Sequence, residues 1–227
     1  MTTRPLRLAA ALLAALALGA AGCVTAPPAK NYDAFKAADP HSILIVPVVN
    51  NTGNVEAPSF FLSTLPVPVA ELGYYVFPTH LVMRMLEDDG LSDANLVHQA
   101  DPVRLCGLFG ADSVLYVTIQ SWNAKYLVFN TTVEVSFEYV LKDGKTGTTL
   151  WNDKRTVQYS SGQGGGSSGN PLADLVAMAV AAAVTKAAPD YMPLARQAND
   201  QVLTTPGVGL LYGPYHPQRQ KAAAPVP

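Results

Sequence analysis

The sequence predicts an α/β fold: a single domain with a mixed sheet of about five strands, a parallel start, an antiparallel hairpin finish, and helices packed on it. Two patterns and their order carry that expectation. The run His41-Ser42-Ile43-Leu44-Ile45-Val46-Pro47-Val48-Val49 is almost continuously aliphatic, as a strand covered on both faces must be. Further on, Thr131, Val133, Val135, Phe137, Tyr139 and Leu141 alternate with Thr132, Glu134, Ser136 and Glu138, the period-two pattern of a strand with one face in water. Helix and turn signals between and after them give the order β-α-β-α-α-β-β-β-α.

Taken in order, the chain opens on a leader. Arg4 and Arg7 precede an apolar stretch at residues 8–21, and Gly19-Ala20-Ala21-Gly22 leads into Cys23, the form of a secretory signal peptide. At 14 residues that stretch falls short of the ~20 needed to cross a bilayer as a helix. Residues 1–22 are therefore expected to be cleaved. Residues 23–39, beginning Cys23-Val24-Thr25-Ala26-Pro27-Pro28, read as a flexible tether, residues 40–203 as the folded domain, and residues 204–227 as an extended arm and disordered tail.

Within the domain, the aliphatic run ends at Asn50-Asn51-Thr52-Gly53-Asn54, whose side chains favour a turn. Residues 59–72 read as a helix broken or kinked by Pro66 and Pro68 and closed by Gly73. Residues 74–78 form a short β-type run, Thr79 is a good N-cap, and helices follow at residues 80–89 and 102–109. Residues 111–122 read as a strand. The alternating strand and residues 149–159 form a hairpin around Lys142-Asp143-Gly144-Lys145-Thr146-Gly147. A Gly/Ser loop at residues 160–169 precedes Asn170-Pro171, an N-cap followed by proline, and a helix to about residue 188.

Composition narrows the function. The chain is 49% hydrophobic and 14% charged, which suits a globular core. Without Arg4 and Arg7, 13 basic residues face 17 acidic ones, a net charge of −4. No basic stripe exists for phosphate neutralisation, so nucleic acid is set aside as a partner. His41, His80, His98 and His216 lie scattered without ligand spacing, and no metal or cofactor is expected. Cys106 sits in an apolar stretch without a neighbouring histidine, the setting of a buried structural thiol. A formal G-x-S-x-G occurs at Gly165-Gly166-Ser167-Ser168-Gly169, with Asp174 or Asp190 and His216 following in hydrolase order. Five residues, Ser160-Ser161-Gly162-Gln163-Gly164, separate it from the strand, so it fits a loop better than a nucleophile elbow. A periplasmic hydrolase using Ser167 stays as the alternative, beside a lipoprotein that binds peptidoglycan or a small ligand.

Leu18-Gly19-Ala20-Ala21-Gly22-Cys23 resembles the bacterial lipobox, with Ala20 where leucine is commonest. That resemblance implies a diacylglyceryl group on Cys23, and Val24 in place of a retention aspartate implies the outer membrane. Three stretches, Asp39-Pro40-His41-Ser42-Ile43-Leu44-Ile45-Val46-Pro47, residues 65–78 with the paired prolines and Gly73-Tyr74-Tyr75, and Phe109-Gly110-Ala111-Asp112-Ser113-Val114-Leu115-Tyr116-Val117, are similar to a family of bacterial lipoproteins of unknown function that includes a neisserial surface antigen. The family's fold is similar to the amino-terminal domain of the translocation protein TolB and to curli-secretion and LpoB-type envelope lipoproteins. The resemblance implies a homodimeric, non-catalytic accessory to an envelope transport, secretion or assembly complex, with a curli-secretion-like lipoprotein or an exporter as partner. The residues expected to meet a partner are Asn50, Asn51, Asn54, Pro66 and Pro68.

Overall fold

The computed structural model describes residues 30–127, 130–160 and 191–219. Cys23, Ser167 and the helix expected up to residue 188 lie outside the described residues. Short α1 (Asp33–Ala38) leads into β1 (Ser42–Ile45) and β2 (Val49–Asn50). Then come α2 (Ala57–Leu62), α3 (Pro66–Glu71), β3 (Tyr75–Val76), α4 (Thr79–Asp88), α5 (Ala94–Gln99) and α6 (Pro102–Phe109). Three long strands, β4 (Ser113–Leu127), β5 (Asn130–Asp143) and β6 (Thr149–Ser160), precede α7 (Met192–Thr204).

One six-stranded sheet runs β3-β1-β4-β5-β6, with β2 also paired to β4. The β3, β1 and β2 pairings are parallel, and those of β4 with β5 and β5 with β6 are antiparallel. The mixed sheet with a parallel start and antiparallel finish is as read, with six strands for about five. The extra strand has a simple cause: Pro47 has no N–H to give the ladder, so the aliphatic run divides around it and resumes at Val49, opposite Thr118.

Asp112 locks the starts of β1 and β4. One of its carboxylate oxygens accepts from His41 N at 3.1 Å, Ser42 N at 3.0 Å and Ser42 Oγ at 2.9 Å, and its own N–H donates back to Ser42 Oγ at 2.9 Å. Two of the stretches carrying the family resemblance thus meet here.

Two apolar cores flank the sheet. The larger joins Phe61, Val69, Phe137, Tyr139, Trp151 and Val202 from α2, α3, β5, β6 and α7. The smaller joins Leu44, Val82, Leu86, Val97, Leu105 and Val114 beneath α4, α5 and α6. Within the larger core, Tyr139 OH donates to Asn199 Oδ1 at 2.7 Å, Asn199 Nδ2 to Thr64 Oγ1 at 2.7 Å, and Thr64 Oγ1 to Phe61 O at 2.6 Å. This chain pairs the buried polar groups that would otherwise destabilise the core.

Several local expectations change. The expected break does fall ahead of Pro66, since α2 ends at Leu62 and α3 starts at Pro66; both prolines then occupy the first turn of α3, where missing N–H groups leave no bond unmade. Thr79 is the first residue of α4 and Pro78 its N-cap, with no side-chain cap. The stretch expected as tether holds α1, because Phe35 is buried in the larger core. The arm packs closely up to Arg219. Gly213 N donates to Leu72 O at 2.8 Å and Tyr215 N to Gly73 O at 3.1 Å. A side chain on Gly213 would place Cβ 2.2 Å from Gly73 O, so this crossing needs glycine.

Candidate functional site: a crevice at the end of β1

After β1 the chain crosses to β3 through α2 and α3 on one face of the sheet, then returns to β4 through α4, α5 and α6 on the other. Connections that leave in opposite senses cannot both close over the strand's carboxyl end, and a crevice opens there, the usual ligand position in open α/β sheets. The crevice has a volume of about 520 Å³. Val48, Leu62, Met83 and Leu91 supply its apolar lining, while Asn50, His80, Glu87 and Asp93 supply polar groups. Among the described residues no Lys or Arg lines it, and the carboxylates there are Glu87 and Asp93.

The loop at one end is built by the asparagines expected to meet a partner. Asn50 Oδ1 accepts from Thr52 N at 3.0 Å and from Thr52 Oγ1 at 2.7 Å, and Asn50 Nδ2 donates to Asn54 O at 2.7 Å. Asn54 Oδ1 accepts from Glu56 N and Ala57 N, both at 3.0 Å, satisfying donors ahead of α2. Asn51 Nδ2 donates to Gln120 Oε1 at 3.2 Å. Of the three, Asn50 lines the crevice. Pro66 and Pro68 are half-buried on α3, outside the crevice lining. Asn50 is thus the one of the five that lines the crevice.

The other wall escaped the sequence reading. Asp93 Oδ1 caps α5 by accepting from Asn95 N at 2.8 Å and Leu96 N at 3.2 Å. His98, on the same helix, holds α5 to the end of β1: its Nε2 lies 2.9 Å from Pro47 O, and since a carbonyl only accepts, that nitrogen carries the proton. Burial, and then the Lys142 charge, push the His98 pKa down against the lift from the Pro47 bond. A signal for this wall does exist in α4. Val82 and Leu86 satisfy the core, yet Leu81 is 53% exposed, Met83 36% and Met85 49%, an excess of apolar residues over what one buried stripe requires.

Reactive chemistry finds no assembly among the described residues. No group of three His, Cys, Asp or Glu could hold a metal ion there. Cys106 is buried, and burial, then Asp143 and Asp112, raise its thiol pKa to about 12, the reverse of an activated nucleophile. His41 lies 3.7 Å from Asp39 at an exposed position, and His216 stacks on Tyr212 with ring centroids 3.8 Å apart. Glu138 pairs with Lys154 at 3.1 Å on the open sheet face. No described helix is long and apolar enough to cross a membrane.

Comparison with known proteins fits this geometry. Residues 30–215 match the model of the GNA1162-like lipoprotein family. A lipoprotein of Neisseria meningitidis serogroup B, NMB1124/NMB1162, is 34% identical over 150 residues, covering 66% of this chain and 69% of its own. The crystal structure of lipoprotein GNA1162 from Neisseria meningitidis superposes with a TM-score of 0.54 at 31% identity, covering 62% of this chain and 95% of that one. Weaker likeness, TM-score 0.36 at 21% identity over 53% of this chain and 84% of the other, extends to the LpoB C-terminal domain from Salmonella enterica. The chain belongs to the GNA1162-like lipoprotein family, and is a membrane-anchored protein of the cell envelope.

Proposed function

We propose that the protein is a non-catalytic accessory to an envelope transport, secretion or assembly complex. It is anchored in the outer membrane through a diacylglyceryl group on Cys23 and receives a segment of a protein partner in the crevice at the end of β1. The crevice carries this reading: it sits where the fold leaves a strand end uncovered, and its apolar lining continues into exposed Met83 on α4. Two of its polar groups, Asn50 and Asp93, are engaged in holding the walls, which suits a rigid receptor. Membership of a lipoprotein family supports the anchor, and Val24 after Cys23 supports the outer membrane.

The test is crosslinking in intact envelopes followed by pull-down, with Met83→Arg as the blocked form. The expected result is a discrete protein captured by the unmodified chain and lost in Met83→Arg, with localisation and unfolding midpoint unchanged. Equal capture by both forms would remove the crevice from the reading, and a chain that captures no protein at all would remove the accessory role.

A further inference from the structure

A second cavity, of about 510 Å³, lies between α1 and the C-terminal arm. Phe35, Leu211 and Tyr212 form its apolar side; Lys36, Arg219 and Asp39 form its charged side. Arg219 is committed to Asp39 by an ion pair and donates to Tyr212 O at 3.1 Å. That contact holds the Asp39 carboxyl below its ordinary pKa. The Asp39 and Arg219 charges cancel, whereas Lys36 has no ion-pair partner among the described residues. The cavity therefore offers one uncompensated cation beside an apolar wall.

Its distance from Cys23 is bounded. Lys30 is held to the domain by its N–H to Gly207 O at 3.2 Å and its ion pair with Asp153 at 3.0 Å, and its ammonium lies 4.8 Å from the centre of the Trp151 ring. From Cys23 to Lys30 the chain advances seven residues, at most about 25 Å when extended. Helix α1, which bears Phe35 and Lys36, starts at Asp33, three residues beyond Lys30.

We propose that this cavity binds the headgroup of an anionic phospholipid from the membrane that holds the anchor. Lys36 meets the phosphodiester charge, and Leu211 and Tyr212, above the buried Phe35 ring, receive the glycerol and upper acyl carbons. The proposal rests on the reading of Cys23 as the lipidated residue, which places the cavity near the bilayer. Bound headgroups would dock the domain against the membrane in one orientation instead of leaving it free on its tether.

The experiment uses the chain from residue 23 onward carrying Cys23→Ala, so that no anchor contributes, sedimented with vesicles of phosphatidylcholine alone or mixed with phosphatidylglycerol. The expected result is about fivefold more binding to the mixed vesicles, the effect of one lysine at an anionic surface. Lys36→Glu should return binding to the phosphatidylcholine level without shifting the unfolding midpoint, while Lys145→Glu, an exposed lysine on the β5–β6 turn, should not. Equal binding to both vesicles, or equal losses in Lys36→Glu and Lys145→Glu, would overturn the proposal. So would full release by inorganic phosphate at constant ionic strength, which would make this a free-phosphate site. Labelled palmitate incorporation at Cys23 in cells tests the anchor separately, so the two readings can fail independently.

Discussion

In the parallel half of the sheet, β1 and the start of β4 carry helices on both faces; in the antiparallel half, among the described residues, the rest of β4 with β5 and β6 packs one face against the larger core, and on the other only the end of β5, at Val140, meets a helix-covered core. The other face of that second half shows Gln120, Glu134, Ser136, Glu138, Lys154, Thr156 and Gln158, bonded in pairs across the strands, as in Ser136 Oγ to Thr156 Oγ1 at 2.8 Å. A polar face of this kind is already satisfied by itself and by water. The parallel half needs helices above and below, and the connections that bring them cannot close over the end of β1. The crevice is thus a product of the half that is covered twice, and the hairpin half supplies a stable platform.

Paired substitutions break the comparison if it is wrong, and the largest effects are expected in the cores. In β1, Leu44 belongs to the smaller core and Ile45 to the larger, so Leu44→Ala and Ile45→Ala should each cost about 2–5 kcal/mol in denaturant unfolding. In β5, Phe137→Ala should cost about 3–5 kcal/mol, since the ring lies 4.2 Å from that of Phe61, while the neighbouring Ser136→Ala should stay within about 0.5 kcal/mol. A large loss for Ser136→Ala would mean that the open face is covered.

Intermediate effects concern the ties to the platform. Asn199→Ala leaves the hydroxyls of Tyr139 and Thr64 without their shared partner and should cost about 1–3 kcal/mol by thermal unfolding. Gly213→Ala should force the arm from the α3–β3 turn, at about 1–3 kcal/mol of local stability, seen as about tenfold faster hydrogen exchange at the Tyr215 amide with core amides unchanged. The smallest effect is a pH dependence at the crevice. A histidine whose pKa is lowered by folding contributes stability that is fully present above the ordinary histidine pKa and is lost as pH falls through the lower folded value. Tyr116 packs edge-on at 5.0 Å and Lys142 repels the imidazolium, so acidification below about 6.5 should loosen α5 from Pro47. His98→Gln, which keeps an amide donor, should flatten that dependence in thermal unfolding.

The two halves also differed in legibility. Strands β5 and β6 were read nearly to their ends, because a sheet with one wet face imposes a period of two on its sequence. The aliphatic run named a doubly covered strand but could not show where its ladder stops, since one missing N–H at Pro47 decides that. Helix α5 has six residues and one buried side chain, Val97, too little for a helical period to register. Helix α7 did carry a stripe, Leu194, Ala198 and Val202 with Ala195, Asn199 and Leu203 beside it, but the polar Asn199 within it disguised the core face. The crevice was half legible: the asparagine turn marked its place, while Met83, Glu87 and Asp93, all on the second crossover, face Leu62 of the first only because the two crossovers lie on opposite faces of the sheet.

Site-specific photo-crosslinking in living cells tests the central claim most directly, with the probe at Ser59 on the crevice rim or at Thr156 on the open sheet face. A discrete protein adduct is expected from Ser59 and none from Thr156. Adducts from Thr156 alone, or equal adducts from both positions, would contradict it.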